Sequence, residues 1–365
     1  MIFWLVFFIK LLFHRRFDYL HEIIAVKWFG AIEEVTGYQA ETFKKFGIKQ
    51  WEKSIHPDDR KTVVETWNRS KKQALPYQHD YRFRRKNGTY IDVQDRGAYV
   101  KDKHDGSRRL LGVMLDISHL KEVDRMKTEF ISLASHQLRT PLTAIRWNIE
   151  LLESMLGKPG FNMRVYMSDV RDSTLRMVSL VNNLLNISRI ETGQLKVESK
   201  EIELEKFVKY LTTELKPIAA ARNVRIQYKL GKKNHKIKID QSLFRQVIVN
   251  VLENAIKYSD SGDNVKVVVK KQKNRYIVSV ADTGAGIPIY DQPNIFTKFF
   301  RASNASRRDT QGSGLGLYIS KLILEKTGGD IWFESKEGKG TTFYVSLPTS
   351  GMKPVKGSKG LINSE

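Results

Sequence analysis

The period of the hydrophobic and polar positions changes twice along the chain. Residues 17–120 hold short alternating segments with frequent turns, and Asn87-Gly88 follows the alternating run at 77–85 as a strong hairpin signal. Near residue 117 the apolar spacing becomes helical, and after residue 195 strands and helices alternate. The pattern therefore predicts an α+β domain with an antiparallel sheet, then two long helices, then a mixed α/β domain.

The first long helix carries two rows of residues at heptad spacing. The rows are Ile131, Leu138, Ile145 and Leu152, and Ser135, Leu142, Ile149 and Leu156. Together they form the kind of seam that lines a helical bundle. The helix is broken at Gly157-Lys158-Pro159-Gly160, and a second helix is predicted over about 161–190. Because two antiparallel helices bury too little surface alone, we predict that two copies pair as a four-helix bundle, which makes the protein a homodimer.

The pattern also predicts the elements of the last domain and the boundaries between domains. Helices are predicted over 204–221, 242–257 and 316–327, with strands around 237–239, 265–269, 276–280, 330–334 and 342–347. The tail at 349–365 is rich in Gly, Lys and Ser, and we expect it to be disordered. The predicted parts are therefore an apolar segment 1–16, domains at 17–120, 121–195 and 196–348, and the tail 349–365.

The N-terminal segment is apolar from Met1 to Phe13 except for Lys10, and the basic run His14-Arg15-Arg16 follows it. As a helix it would span roughly 20 Å, which is short of the ~30 Å hydrocarbon core of a bilayer. Two alternatives stay open. The segment is either the remnant of a membrane anchor, with its basic flank on the cytoplasmic side, or it packs on the neighbouring domain.

The amino-acid composition excludes several kinds of structural and catalytic site. Cysteine is absent, which excludes disulfide scaffolds, thiolate zinc sites and cysteine nucleophiles. The eight histidines form no metal-binding pair. The net charge is +22, and residues 196–365 carry +13 of it. This charge suits an anionic ligand such as a nucleotide, an acidic partner or a membrane surface. No basic run with interleaved aromatics supports nucleic acid as the partner.

Three constellations in the last domain carry candidate chemistry. In the first, Asn250, Asn254 and Lys257 share one helix face and Tyr258 follows them. Amide oxygens there suit Mg²⁺ and the lysine suits phosphate. The second, Asp282-Thr-Gly284-Ala-Gly286-Ile287, directly follows a strand, so its glycines let the backbone approach a ligand.

The third constellation is Gly312-Ser-Gly314-Leu315-Gly316, which opens a helix where amide donors suit phosphates. In this order and spacing the three resemble the N, G1 and G2 boxes of the ATP-binding domain of sensor histidine kinases. The segment from Ile295 to Arg301, which contains Phe299, stands where that family has its F box, and Thr342 belongs to a segment similar to the family's closing strand. The resemblance implies an α/β sandwich of the gyrase/MutL (Bergerat) type.

The resemblance also implies individual roles. Asn254 would ligate Mg²⁺, Asn250 and Lys257 would contact the phosphates of ATP, and Tyr258 would lie on the nucleoside side. Asp282 would read the adenine amino group, in a pocket lined by the glycines that follow it. The segment 301–311 would be a mobile lid, with Arg301, Arg307 and Arg308 as a charge clamp.

A candidate phosphoryl acceptor lies on the first long helix. At about 100° per residue, His136 falls on the face opposite the seam, with Thr140 one turn later. The run from Ser135 to Leu142 resembles the H box of the same family, in which the histidine attacks the γ-phosphate of ATP. Gln137 stands where the family usually has an acid, which puts efficient phosphorylation in question. For Thr140 the resemblance implies a role in a phosphatase reaction, and a purely structural role before Pro141 is the alternative.

The first domain resembles a PAS sensor module. The resemblance rests on Ala31–Tyr38, Ile55–Arg60, Tyr81–Gly88 and Leu111–Ile117. It implies a signal or ligand whose chemistry the sequence leaves open.

Taken together, these features indicate a dimeric histidine kinase that uses ATP and Mg²⁺, phosphorylates His136 and passes the phosphoryl group to an aspartate of a response regulator. The catalytic part would be cytoplasmic, beside the plasma membrane if residues 1–16 attach there. The alternatives are a gyrase-like ATPase without phosphohistidine, and a non-catalytic scaffold or nucleic-acid binder.

Overall fold

The structure is a computed structural model that describes residues 4–11, 24–43, 45–101, 108–156, 162–229, 234–308, 312–355 and 357–362. The chain forms two compact units, residues 1–131 and 132–365.

A five-stranded antiparallel sheet is the framework of the first unit. Its strands are β1 (Trp4–Leu11), β2 (Ile24–Gly30), β3 (Tyr77–Arg84), β4 (Tyr90–Lys101) and β5 (Arg108–Asp116). They lie in the order β2-β1-β5-β4-β3. The β3–β4 hairpin closes with Arg84 opposite Tyr90, and Gly88 in the turn has a φ of +87°. The predicted hairpin at Asn87-Gly88 is therefore confirmed.

Four helices connect β2 to β3. They are α1 (Ile32–Thr36), α2 (Ala40–Phe43), α3 (Ile48–Ser54) and α4 (Pro57–Gln73). Helix α1 ends at Gly37, whose φ of +73° favours glycine. His56 caps α4 by accepting a hydrogen bond from the Asp58 N–H at 3.3 Å. The first unit therefore has the α+β architecture that the sequence predicted.

Of the two alternatives for the N-terminal segment, the structure agrees with packing on the neighbouring domain for residues 4–11. Strand β1 lies between β2 and β5 and pairs with both. A separate segment at 1–16 is therefore wrong for residues 4–11, which belong to the sheet of the first unit. A run of aromatic and branched residues has high strand propensity, and a central position pairs its backbone on both edges.

Two long helices follow, α5 (Ser118–Met155) and α6 (Met163–Glu191). Both predicted helices are confirmed. The two heptad rows of α5 differ in exposure within one chain. In the first row Leu138, Ile145 and Leu152 are half-buried, although Ile131 is 55% exposed, whereas in the second row Leu142 and Ile149 are 56% and 42% exposed. The exposed apolar row is consistent with a second copy as its partner, and the homodimer stays a prediction.

The rest of the second unit is an α/β sandwich. One sheet has the order β11-β12-β10-β9-β7, in which only β7 and β9 are parallel among the described strands. Its strands are β7 (Arg225–Lys229), β9 (Asn264–Gln272), β10 (Arg275–Ala281), β11 (Asp330–Lys336) and β12 (Gly340–Pro348). A separate antiparallel pair is formed by β6 (Lys200–Glu203) and β8 (Lys236–Ile239).

Among its described residues this sandwich has five α-helices and a short 3₁₀ helix at Gln292–Asn294. The α-helices are α7 (Leu204–Glu214), α8 (Lys216–Ala221), α9 (Gln241–Tyr258), α10 (Ser303–Arg308) and α11 (Gly316–Thr327). The prediction of a single helix over 204–221 is wrong, because the helix is interrupted at Leu215. Pro217 explains the break, because proline has no N–H and clashes with the preceding turn.

The C-terminal tail also differs from its expectation. The Met352 N–H donates to the Lys238 carbonyl at 2.9 Å, and its side chain is 4% exposed. Lys359 pairs with Leu195 as an isolated parallel bridge. The disorder expected over 349–365 is therefore wrong for residues 349–355 and 357–362, because several of their backbone N–H groups donate to the folded core. Composition alone does not reveal such long-range hydrogen bonds.

No helix in the described ranges combines the length and apolarity needed to cross a bilayer.

Candidate functional site

The second unit contains a cavity of about 290 Å³ between α9, α11 and the loops that follow β10. Asp240 caps the N-terminus of helix α9, and its carboxylate accepts hydrogen bonds from the N–H groups of Ser242 and Leu243. Its apolar face is buried against the sheet, which turns Asn250, Asn254 and Lys257 towards the cavity. The three polar side chains that the sequence placed on one helix face thus line one cavity.

Asp282 directly follows β10 and lies at one side of the cavity. Its Oδ1 accepts hydrogen bonds from the N–H groups of Gly284 at 3.0 Å and Thr341 at 3.1 Å. Burial raises the pKa of this carboxyl to about 6. The backbone thereby fixes one oxygen, and the other oxygen can accept from a ligand's amino group.

The glycines after Asp282 allow close backbone contacts. A Cβ at Gly284 would overlap the Tyr258 carbonyl, and one at Gly286 would overlap the Lys336 carbonyl. Gly286 also has a φ of +64°. This loop can therefore fold against α9 and β11 only with glycine at both positions.

Two cations flank the glycine loop that leads into α11. A Cβ at Gly312 would lie 3.1 Å from Nζ of Lys257 and 3.5 Å from Nε of Arg301. Gly314 has a φ of +70°, and a Cβ there would lie 2.6 Å from the carbonyl carbon of Phe299. The loop thus brings backbone amides and two positive charges together, which suits a polyphosphate.

The cavity contains many of the predicted binding residues. It is lined by Asn250, Asn254, Lys257, Tyr258, Asp282, Gly286, Ile287, Arg301, Gly314 and Gly316. Gly284, Phe299, Gly312 and Leu315 support the wall through backbone contacts or burial. The side chains of Arg307 and Arg308 and residues 309–311 lie outside the described part of the chain.

Thr342 is not among the described residues that line this cavity. Its neighbour Thr341 lines the cavity, while Thr342 pairs with Ala281. Thr342 borders an adjoining shallow depression that shares Asp282 and Thr341 with the cavity. Adjacent strand residues point to opposite faces, so a difference of one position changes the face.

Sequence reasoning missed Ser179 and Asn183, which lie outside every motif it identified. Other lining residues that were not named as candidates lie within those motifs, and they include Glu253, Ile295, Phe300, Ala302, Asn304, Ser313, Thr341 and Phe343. Ser179 and Asn183 belong to α6, one turn apart on one face. Polar residues on a long helix carry no sequence signal for this contact.

The candidate acceptor lies on α5 of the long helix pair. His136 is exposed, Gln137 is half-buried, and Thr140 Oγ1 donates to the His136 carbonyl at 3.4 Å. Pro141 lies inside the helix. The exposed imidazole matches the face that the helical spacing predicted.

Three family models match the chain. Residues 25–114 match the PAS fold, residues 126–193 match the His Kinase A (phospho-acceptor) domain, and residues 239–351 match the histidine kinase-, DNA gyrase B- and HSP90-like ATPase. Together these are the three domain types of a sensor histidine kinase. The order of the three matches is the order of the domains inferred from the sequence.

Curated proteins that are similar to this chain are named as sensor kinases. The sensor protein kinase WalK of Staphylococcus saprophyticus is 35% identical over 240 residues, which is 65% of this chain and 39% of that protein. The sensor histidine kinase WalK of Bacillus subtilis is 32% identical over 253 residues, which is 69% of this chain and 41% of that protein. The chain thus spans about two fifths of the length of these relatives.

A solved structure, histidine kinase AdeS of Acinetobacter baumannii, is 21% identical with a TM-score of 0.49 and covers 59% of this chain and 98% of that chain.

Proposed function

We propose that the chain is an ATP-dependent protein histidine kinase that phosphorylates His136. The observation that carries this proposal is the cavity where Asp282, Asn254, Lys257 and Arg301 converge. It offers an acceptor for an amino group at one side and cations and amides for phosphates at the other.

Asn254 is the residue that would hold Mg²⁺ in this site. Its half-buried amide lines the cavity beside Lys257, and amide oxygen is a hard ligand of the kind Mg²⁺ takes together with substrate phosphates. The residues present therefore fit a cation that is bound mainly through the nucleotide. When bound, it would neutralise charge on the phosphates.

His136 would act as the nucleophile. Its Nε2 forms a bond to the γ-phosphorus, the bond from that phosphorus to the bridging oxygen breaks, and ADP leaves with the electron pair. The Gln137 amide oxygen can orient Nδ1–H but cannot take its proton, so the Nδ1 proton passes to solvent.

A receiver-domain aspartate of a response regulator is the proposed next acceptor, and Thr140 is the candidate residue for a phosphatase reaction on that partner. We also propose a homodimer held by the exposed row of α5. The PAS ligand and attachment to a membrane stay predictions.

Incubation with γ-labelled ATP and Mg²⁺ tests the proposal. We expect an acid-labile, alkali-stable label on the chain that His136→Ala abolishes. His119→Ala is the matched control, since His119 is another exposed histidine on α5 and its loss leaves the label in place. Steady ATP hydrolysis without protein label would instead favour a gyrase-like ATPase.

A second control separates binding from transfer. Asn254→Asp adds a negative charge among the phosphates and should reduce both ATP binding and labelling. If His136→Ala binds ATP normally while Asn254→Asp does not, the two residues act in different steps, as proposed.

A further inference from the structure

The C-terminal segment, described at residues 351–355 and 357–362, contacts two parts of the second unit. At one end the Met352 N–H donates to the Lys238 carbonyl, and the Lys353 N–H donates to the Thr327 carbonyl at 2.8 Å. Both acceptors belong to the ATP-binding sandwich. The first half of the segment is therefore fixed to that domain.

The other end reaches α6 and the residues that follow it. Asn186 donates to the Ile362 carbonyl and accepts from the Ile362 N–H, each at 2.9 Å. Arg189 Nη1 donates to the Gly360 carbonyl at 2.6 Å. Asn186 is only 1% exposed, so this two-way pairing satisfies a buried amide that would otherwise be costly.

The middle of the segment lies against the connection between α6 and the sandwich. The N–H groups of Ser358 and Lys359 donate to the Gln194 carbonyl, and Lys196 N–H donates to the Lys359 carbonyl at 2.8 Å. Gly357 approaches so closely that a Cβ there would overlap the Leu195 carbonyl. Only glycine fits at position 357, because any side chain there would collide with the Leu195 carbonyl.

A second set of contacts joins the same two parts. Tyr318 of α11 donates to Glu191 at 2.5 Å, and Lys298 pairs with the same carboxylate at 2.7 Å. The nucleotide cavity is bordered by Ser179 and Asn183 of α6, whereas none of the described residues lining it comes from α5. The helix that carries His136 is thus not part of the cavity wall in this arrangement.

We propose that the C-terminal segment, through its described residues 351–355 and 357–362, is an intramolecular clamp that holds the ATP-binding domain against α6 and thereby slows phosphorylation of His136. Asn186 is a positioning residue that acts through the clamp. This inference rests on the proposed function, because release of the clamp would let the nucleotide site move from α6 towards the helix that carries His136.

Gly357→Ala in the full chain tests the clamp. The added Cβ displaces the segment from Leu195 without removing any residue. Gly360→Ala is the matched control, since no atom lies within 4 Å of a Cβ at Gly360 and neither glycine has a positive φ. A chain that ends at Lys356 provides an independent way to remove residues 357–362.

Hydrogen exchange followed by mass spectrometry gives the first readout. In the wild type and Gly360→Ala we expect protection at the amides of Lys196, Lys359 and Ile362, which all donate hydrogen bonds. Gly357→Ala should lose the protection at these amides. Equal protection in the two variants would contradict the clamp, whether or not the chain is a kinase.

The second readout is the initial rate of His136 phosphorylation at saturating ATP, together with the dissociation constant of ATP. Gly357→Ala and the shortened chain should react about fivefold faster or more, near the lower end of usual coupling factors, with unchanged ATP affinity. An unchanged or lower rate despite lost protection would overturn the inhibitory role. If no variant forms phosphohistidine, the proposed function fails, while the exchange data still decide whether the clamp exists.

Discussion

Asn250 donates a hydrogen bond of 3.0 Å from its side-chain amide to the hydroxyl of Ser320. Its Oδ1 faces the start of α11, where a Cβ at Gly316 would overlap it. Asn250 therefore holds two helices of the ATP-binding domain together, in addition to bordering the cavity. The resemblance implied only a contact to phosphate for this residue.

This contact predicts a coupled effect of two substitutions. Gly316→Ala should destabilise the domain by about 1–3 kcal/mol, the usual cost of forcing an atom into a packed site. In an Asn250→Ala background the obstacle is gone, so the same substitution should cost little, because alanine is the better helix former. Urea unfolding of the four members of the cycle measures this. Equal costs of Gly316→Ala in both backgrounds would show that the overlap is relieved elsewhere.

Asp282 predicts a pH dependence of nucleotide binding. Burial raises the pKa of its carboxyl to about 6, and only the ionised form leaves an oxygen free to accept from an adenine amino group. Lowering the pH from 7.5 to 5.5 should therefore weaken ATP binding about fourfold, as the ionised fraction falls to about a quarter. Titration calorimetry at both pH values measures the change.

Asp282→Asn is the control for this titration. Its single oxygen cannot serve both the N–H groups of Gly284 and Thr341 and the nucleotide, so we expect weak binding that no longer changes with pH over this range. If the variant retains the wild-type pH dependence, another group causes it.

The local elements of the fold were predictable because their signals are local. Gly37, Pro57 and the Asn87-Gly88 turn mark element ends through backbone conformation, and the structure places those ends there. Strand β1 and the tail were not predictable in this way. Their positions depend on pairing with residues far along the chain, such as Lys10 with Arg109 and Lys359 with Leu195.

The residues of the candidate site likewise fall into two groups, those predictable from local sequence patterns and those placed by tertiary packing. Asn250, Asn254 and Lys257 follow from helical spacing on α9, so their convergence could be predicted. Ser179 and Asn183 reach the cavity from α6 only through tertiary packing. Thr341 and Phe343 line the cavity and Thr342 between them does not, which follows from the alternation of side chains along β12.

Gln137 predicts a gain of activity. An acid at this position can take the Nδ1 proton of His136, whereas an amide cannot. Gln137→Glu should therefore speed labelling of His136 about tenfold at saturating ATP, with ATP affinity unchanged because the residue lies on α5, away from the cavity wall. Gln137→Met keeps the size of the side chain, removes the hydrogen-bonding group and should slow the reaction. A Gln137→Glu rate at or below that of the wild type would count against proton transfer to position 137.

A buried carboxylate predicts that the stability of the first unit depends on pH. Asp95 is 1% exposed and accepts hydrogen bonds of 3.0 Å from the hydroxyls of Tyr77 and Tyr81, and Trp51 donates to the Tyr81 hydroxyl at 2.7 Å. Burial raises the pKa of Asp95 to about 7, well above the ordinary value near 3.9. The folded state therefore holds a proton that the unfolded state releases.

The sign of the effect follows from this difference. The contribution of Asp95 to stability is fully present below about pH 4 and falls as the pH rises towards 7, by about 1.4 kcal/mol for each pH unit. Asp95→Asn should remove this slope, since asparagine does not titrate. Asp80→Asn is the control, because Asp80 is exposed and should leave the slope unchanged. Urea unfolding at pH 5, 6 and 7, followed by tryptophan fluorescence, measures the slope, and a wild type whose first unit is equally stable at the three pH values would show that Asp95 is ionised throughout.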